Sequence, residues 1–315
     1  MRAHSDARVR SGAARPGAGL WRARALACAL LALAALSVPA PAEAAPRCFG
    51  AASRDPERRC FNPRLARLVA PTPDEALLNP NFPCRQHKIT EQLSPCTFGA
   101  THPSASVALI GDSHAQHMRP ALAVLARRRN WRVEDASVPL CMFSTATTGA
   151  GPPFDQRCPQ WNADVMEWLQ NNPEIQTIFV AGKAEQFVKP VPGQSAHDAR
   201  VAGYTARFSQ LPDRNVIVIR DAPEESVTTK DCVRRRIAHK RPLKGACSYP
   251  RRLARDPAAA AARATGQQTI DLTRQFCGPR RCYPVIGGAL VHKDTDHLTQ
   301  VFARTLGPFL DRAAP

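Results

Sequence analysis

From Ser106 onward the chain alternates short, unbroken apolar runs with longer stretches in which apolar residues recur every third or fourth position. Val107-Ala108-Leu109-Ile110 is the first run, a buried strand that ends at Gly111-Asp112-Ser113. Met118, Ala121, Leu122 and Leu125 follow at helical spacing. Arg127, Arg128 and Arg129 close that helix, where cations suit the dipole. Pro120 lies in its first turns, so the pattern predicts a late start or a bend. The alternation continues with a strand over 131–138 and a helix over 160–170, which sets Trp161, Val165 and Trp168 or Leu169 on one side. Strands are predicted over 175–181 and 215–220 and a short fifth over 268–272, with helices over 198–211 and 298–310. Near-continuous apolar strands alternating with helices predict an α/β fold, a three-layer α/β/α sandwich around a mainly parallel sheet. Ligands of such folds sit at the carboxyl ends of the strands.

Three segments break the pattern. Residues 1–24 carry six arginines, the fourteen residues Ala25–Val38 are an apolar run, and Ala42-Glu43-Ala44 is a small-residue cleavage site. Together they read as a signal peptide over 1–44, hence a periplasmic or secreted protein. The alternative is a membrane anchor, although a spanning helix needs about 20 apolar residues. Residues 45–104 hold four Cys and nine Pro with little periodicity, and read as a Cys/Pro-rich N-terminal arm before a domain over 105–315. Residues 224–264 are basic and read as an irregular insertion. Beyond the signal there are ten Cys, an even number that indicates disulfides in an oxidising compartment. Ten allow about 945 connectivities, so spacing alone does not fix them. Pairing nearest neighbours, Cys48-Cys60, Cys84-Cys96, Cys141-Cys158, Cys232-Cys247 and Cys277-Cys282, would staple one loop each. No C-x₂-C pair suggests zinc.

Charge narrows the choice of partner. The 43 Lys and Arg outnumber 26 Asp and Glu, a net charge of +17. Such a surface favours acidic partners, and export excludes nucleic acid. The basic stretch that includes Arg234–Arg236, Lys244 and Arg251–Arg255 is either a solvated loop or a contact for anionic glycan or lipid headgroups.

The candidate chemistry lies at the two ends of this domain. Ser113 follows the first strand and opens a helix, whose free N–H groups can stabilise an oxyanion. Asp294-Thr295-Asp296-His297 offers a base: an Asp three residues before His can meet Nδ1 and leave Nε2 for Ser. Asp296 is a rival partner, but adjacent side chains diverge, which favours Asp294. Asp112-x-His114 is similar to the opening of a binuclear metallophosphoesterase, with His114 and His117 as ligands. The later G-D-x-x-D and G-N-H of that family do not occur, so no metal is expected.

G-D-S-H-A at 111–115 and D-x-x-H-L-T at 294–299 resemble the SGNH/GDSL hydrolase superfamily. The resemblance is closest to the periplasmic SGNH domains attached to bacterial membrane acyltransferases that O-acylate surface polysaccharides. Val138-Pro139-Leu140-Cys141 is similar to their Cys-Pro-Leu-like element, and Val180-Ala181-Gly182-Lys183 to the turn after a later strand. Covering roughly 80–315, the resemblance implies Ser113 as nucleophile, His297 as base and Asp294 as its orienter. Plain esterases of the superfamily add a Gly and an Asn to the oxyanion hole. No such Asn follows residues 175–181, which leaves the Ser113 N–H with Gly182 or Lys183. The resemblance thus implies an exported serine-dependent O-acetyltransferase or O-acetyl esterase without cofactor. It would act on a cell-envelope polysaccharide or glycolipid, with a separate membrane acyltransferase as donor. The alternative is a catalytically silent glycan-binding or assembly protein that kept the fold.

Overall fold

The computed structural model describes residues 45–315 except 59, 79–83, 85–88 and 90. The export segment read over 1–44 lies outside the described residues. In chain order the elements are α1 (Pro73–Leu78), β1 (Cys96–Gly99), β2 (Ala105–Gly111), α2 (Ser113–Arg129), β3 (Trp131–Asp135), α3 (Phe154–Asn171), β4 (Thr177–Ala181), α4 (Ala196–Ser209) and β5 (Asn215–Ile219). Then come α5 (Val227–Ala238), β6 (Tyr249–Pro250), α6 (Pro257–Ala264), β7 (Gln268–Ile270), α7 (Thr273–Phe276), β8 (Arg281–Cys282), β9 (Val285–Ile286), β10 (Ala289–Leu290) and α8 (Gln300–Ala313).

The strand residues alternate between two cores, which is why their sequence is apolar without a break. Val107, Leu109, Phe179, Ala181, Ile217 and Ile219 face one cluster, which α2 and α8 complete through Met118, Leu122, Leu125, Phe302 and Leu306. Ala108, Ile110, Ile178, Val180, Val216 and Val218 face the other, completed by Trp161, Val165 and Leu169 of α3 and Tyr204 and Phe208 of α4. The fold is therefore an α/β/α sandwich. The central sheet has the order β1-β3-β2-β4-β5-β7. All pairings are parallel except β1 with β3. The chain leaves β2 towards β3 and returns across it to β4. The carboxyl end of β2 is thus the switch point, where this class of sheet opens a crevice.

Several expectations need correction. Helix α2 starts at Ser113 and runs on past Pro120. The hydrogen bond lost at Pro120 is offset by burial of that helix against α8, where Gly307 lets the two approach so closely that a Cβ there would lie 2.4 Å from the Val124 Cβ. The arm supplies an edge strand, β1, in register with β3 from Cys96↔Asp135 to Gly99↔Arg132. The segment read as an irregular insertion contains α5 and α6. Helix α6 seals the second core with Ala258, Ala259, Ala261 and Ala262. Asp256 caps it through the Ala259 N–H at 3.0 Å, and Pro257 occupies the first turn. All five nearest-neighbour cysteine pairs are bonded. Among the described residues, no helix is long and apolar enough to cross a membrane.

Candidate active site

The turn from β2 into α2 depends on Gly111. Its φ is +146°, and a Cβ there would lie 1.8 Å from the Ala181 carbonyl oxygen of β4. Only glycine fits such an approach. Asp112 caps α2: its Oδ1 accepts the His114 N–H at 2.8 Å. Its Oδ2 accepts the Lys183 N–H at 2.9 Å, so the same carboxylate ties the β2 turn to the β4 turn. Burial raises the Asp112 pKa against these hydrogen bonds. Capping thus falls to Asp112, and Ser113, in the first helical position and half-buried, keeps its hydroxyl for other partners.

The loop before α8 brings the second half. His297 Nε2 lies 2.8 Å from Ser113 Oγ, across 184 residues of chain. Its Nδ1 is hydrogen-bonded to Asp294, 2.9 Å from Oδ2 and 3.0 Å from Oδ1. Asp294 Oδ1 also accepts the N–H groups of Asp296 (3.1 Å) and His297 (2.7 Å), which closes the loop on itself. Other elements hold this loop from outside. Glu225 N–H donates to the Thr295 carbonyl at 2.8 Å, and the Lys230 ammonium of α5 donates to the Asp294 carbonyl. Thr299 caps α8 through the Phe302 N–H at 3.1 Å.

Asp296 does not diverge from the ring as its adjacency to His297 suggested. The loop turns its Oδ1 to 3.1 Å from His297 Nδ1, an ion-pair contact. Its Oδ2 accepts from Lys183 Nζ at 2.5 Å and lies 3.8 Å from His114 Nε2. His114 is itself buried, with Nδ1 2.6 Å from Asp221 Oδ1. The His114, His297 and Lys183 cations hold the Asp296 carboxyl far below the usual carboxylate range. Burial opposes protonation of His114, but Asp221, and behind it Asp296, raise its pKa well above the ordinary value. For His297 burial again works downwards, and hydrogen bonds to Asp294 and Asp296 outweigh it, so its pKa is raised. Burial, with His114 and the other cations nearby, pushes His117 well below the ordinary value. It is a neutral imidazole whose Nδ1 accepts the Leu298 N–H at 3.4 Å.

Ser113, His297 and Asp294 are therefore together, with Gly182 in the adjoining turn after β4. Lys183 does not fit as an oxyanion donor: its N–H is committed to Asp112 and its ammonium to Asp296, with Glu224 at 3.4 Å. His114, Asp296 and His297 have ligand atoms within 4.8 Å of one another, the spacing of a metal site. Lys183 and Asp221 already match their charges. Asp221 was missed in the sequence, although it follows the apolar strand β5 at the edge where sites form. A cavity of about 550 Å³, lined among others by Glu185, Asp221, Glu224, Tyr249 and Arg252, adjoins this charge network through Asp221 and Glu224.

Comparison with known proteins agrees with this architecture. A family model described as an SGNH domain, fused to AT3 domains, matches residues 83–312. Among solved structures, the periplasmic domain of a lipopolysaccharide acetyltransferase from Salmonella ser. Paratyphi A is similar at a TM-score of 0.51 and 12% identity, over 65% of this chain and 83% of that one. At that identity the likeness is one of fold. No curated protein matches the chain.

Proposed function

The chain belongs to the family of SGNH domains fused to AT3 domains, and on that premise we propose that it is an exported serine-dependent acyl-transfer enzyme acting on O-acetyl groups of a cell-envelope polysaccharide or glycolipid. The observation that carries this reading is the 2.8 Å contact of Ser113 Oγ with His297 Nε2, on a ring whose Nδ1 is held by Asp294. Nδ1 then carries the proton and Nε2 is free to accept one. In the proposed reaction, His297 takes the Ser113 proton as Oγ attacks the acyl carbonyl. The oxyanion that forms faces the N–H groups of Ser113 and Gly182. Its collapse expels the donor oxygen, which takes the proton from His297, and leaves the acyl group on Ser113. A sugar hydroxyl or water then gives its proton to His297 and attacks the ester, which restores Ser113. The sugar makes the protein an O-acetyltransferase, and water makes it an esterase. The AT3 context supports a membrane acyltransferase as the donor.

A serine-directed fluorophosphonate tests the reading. It is expected to label the mature protein once, at Ser113, and to leave Ser113→Ala unlabelled. An unlabelled wild-type protein would favour the silent glycan-binding alternative. Export is tested by the N-terminus of the periplasmic protein, expected at Ala45.

A further inference from the structure

A second concave site lies away from Ser113. A cavity of about 420 Å³ opens between the Cys48–Cys60 segment, the loop around Lys244 and the β9–β10 hairpin. That volume falls in the range of small-ligand sites, about 300–1,000 Å³. Its frame is rigid. The Cys48–Cys60 bridge forms part of the wall, and Cys232–Cys247 ties the Lys244 loop to α5. Gly287 in the hairpin turn approaches the Cys48 carbonyl, where a Cβ would stand 2.5 Å away.

The lining is unusual in charge. Arg54 and Lys244 contribute two cations, and among the described residues no Asp or Glu lines the cavity. Neither cation is ion-paired with a described carboxylate. Arg54 is partly buried, which lowers its pKa against a hydrogen bond to the Tyr283 side chain, and its Nε donates to the Arg274 carbonyl at 3.1 Å. A partly buried cation without a counter-ion favours an anion beside it. Each cation lies over an aromatic face: the Arg54 guanidinium is 4.8 Å from the Tyr283 centroid, and Lys244 Nζ is 4.2 Å from that of Phe61. Phe61 itself is 67% exposed, a large apolar ring left open to solvent.

We propose that this cavity binds a carboxylated saccharide, with Lys244 and Arg54 taking its carboxylate and Phe61 meeting the apolar face of a sugar ring with the ring surface that Lys244 leaves open. A concave pocket that combines an open aromatic ring with two lining cations suits a ring of mixed polarity, whereas a lipid surface would need a flat or protruding contact. The site shares no lining residue with the Ser113 cluster and does not rest on the acyl-transfer reading.

Titration calorimetry of the mature, disulfide-intact protein tests this, with trigalacturonate as probe and its methyl ester as uncharged control. The acid is expected to bind at one site per chain, and the ester about tenfold more weakly for want of the charge-assisted hydrogen bonds. Phe61→Ala and Lys244→Ala, both at exposed positions, are expected to keep the wild-type melting temperature and to weaken the acid about fivefold or more. Ser113→Ala is expected to bind as wild type, whether or not wild type reacts with fluorophosphonate. Four results would overturn the proposal: equal binding of acid and ester, unchanged binding by both cavity variants, loss of binding in Ser113→Ala, or binding only to phosphatidylglycerol vesicles.

Discussion

Two carboxylates converge on one imidazole nitrogen, and they do different work there. Asp294 makes the hydrogen bond to His297 Nδ1, while Asp296 approaches the same atom from within a ring of cations. Asp294→Asn would present an amide that cannot hold the same tautomer, so kcat is expected to fall by up to about 10⁴ with the fold retained. Asp296→Asn is expected to cost less in kcat and to show itself in the pH profile. The raised pKa of His297 means that its neutral, proton-accepting form is complete only above that pKa. The kcat/KM profile for a small ester should therefore rise with pH to a midpoint above the ordinary value of about 6.5. Loss of either carboxylate should move the midpoint down. His117→Ala removes an imidazole that is already neutral, and should leave the rising limb in place. An Asp296→Asn profile superposed on wild type would show that this carboxylate serves only Lys183 and His114. The D-x-x-H spacing made Asp294 legible in the sequence. The Asp296 contact was not, because it depends on how the loop turns and on Lys183 and His114 from two other segments.

At the scale of elements, the β2–α2 turn and its seat against β4 decide whether Ser113 points at His297. Gly111→Ala would drive a Cβ into the Ala181 carbonyl at a backbone angle that side chains rarely adopt. The expected result is a loss of stability of about 3 kcal/mol or more, read as a lower denaturant midpoint, with activity falling even where the protein still folds. Wild-type stability and activity in that variant would mean that the two strands separate freely. The strands β2, β4 and β5 were legible because each is an unbroken apolar run, and α2 because its apolar spacing is regular. The helix α6 was not, since Ala258, Ala259, Ala261 and Ala262 give no periodic contrast with their neighbours. The edge strand β1 was hidden as well. Its four residues are half-buried or exposed, and it takes its conformation from pairing with β3, far along the chain.

At the scale of the molecule, five short-range bridges among the described residues fasten the sandwich and its loops. They close separations of 12, 12, 17, 15 and 5 residues. In the chain-entropy picture such bridges contribute about 2–4 kcal/mol each, the shortest least. The mature protein, without Cys28, should show no free thiol to a thiol reagent, and full reduction should lower its melting temperature. The order of reduction follows from access, because a reductant thiolate must reach a sulfur in line. Cys232 and Cys247 are both half-buried, on the loop beside α5. Cys141 and Cys158 are 0% and 3% exposed and belong to the second core, with Phe143 and Trp161. Graded dithiothreitol followed by alkylation and peptide mapping should find Cys232–Cys247 opened first, with fluorophosphonate labelling of Ser113 intact. Cys141–Cys158 and the equally buried Cys277–Cys282 should open last, together with loss of the near-ultraviolet dichroism that reports core packing. Simultaneous opening of all five at one reductant concentration would instead show that the bridges are reached only through global unfolding.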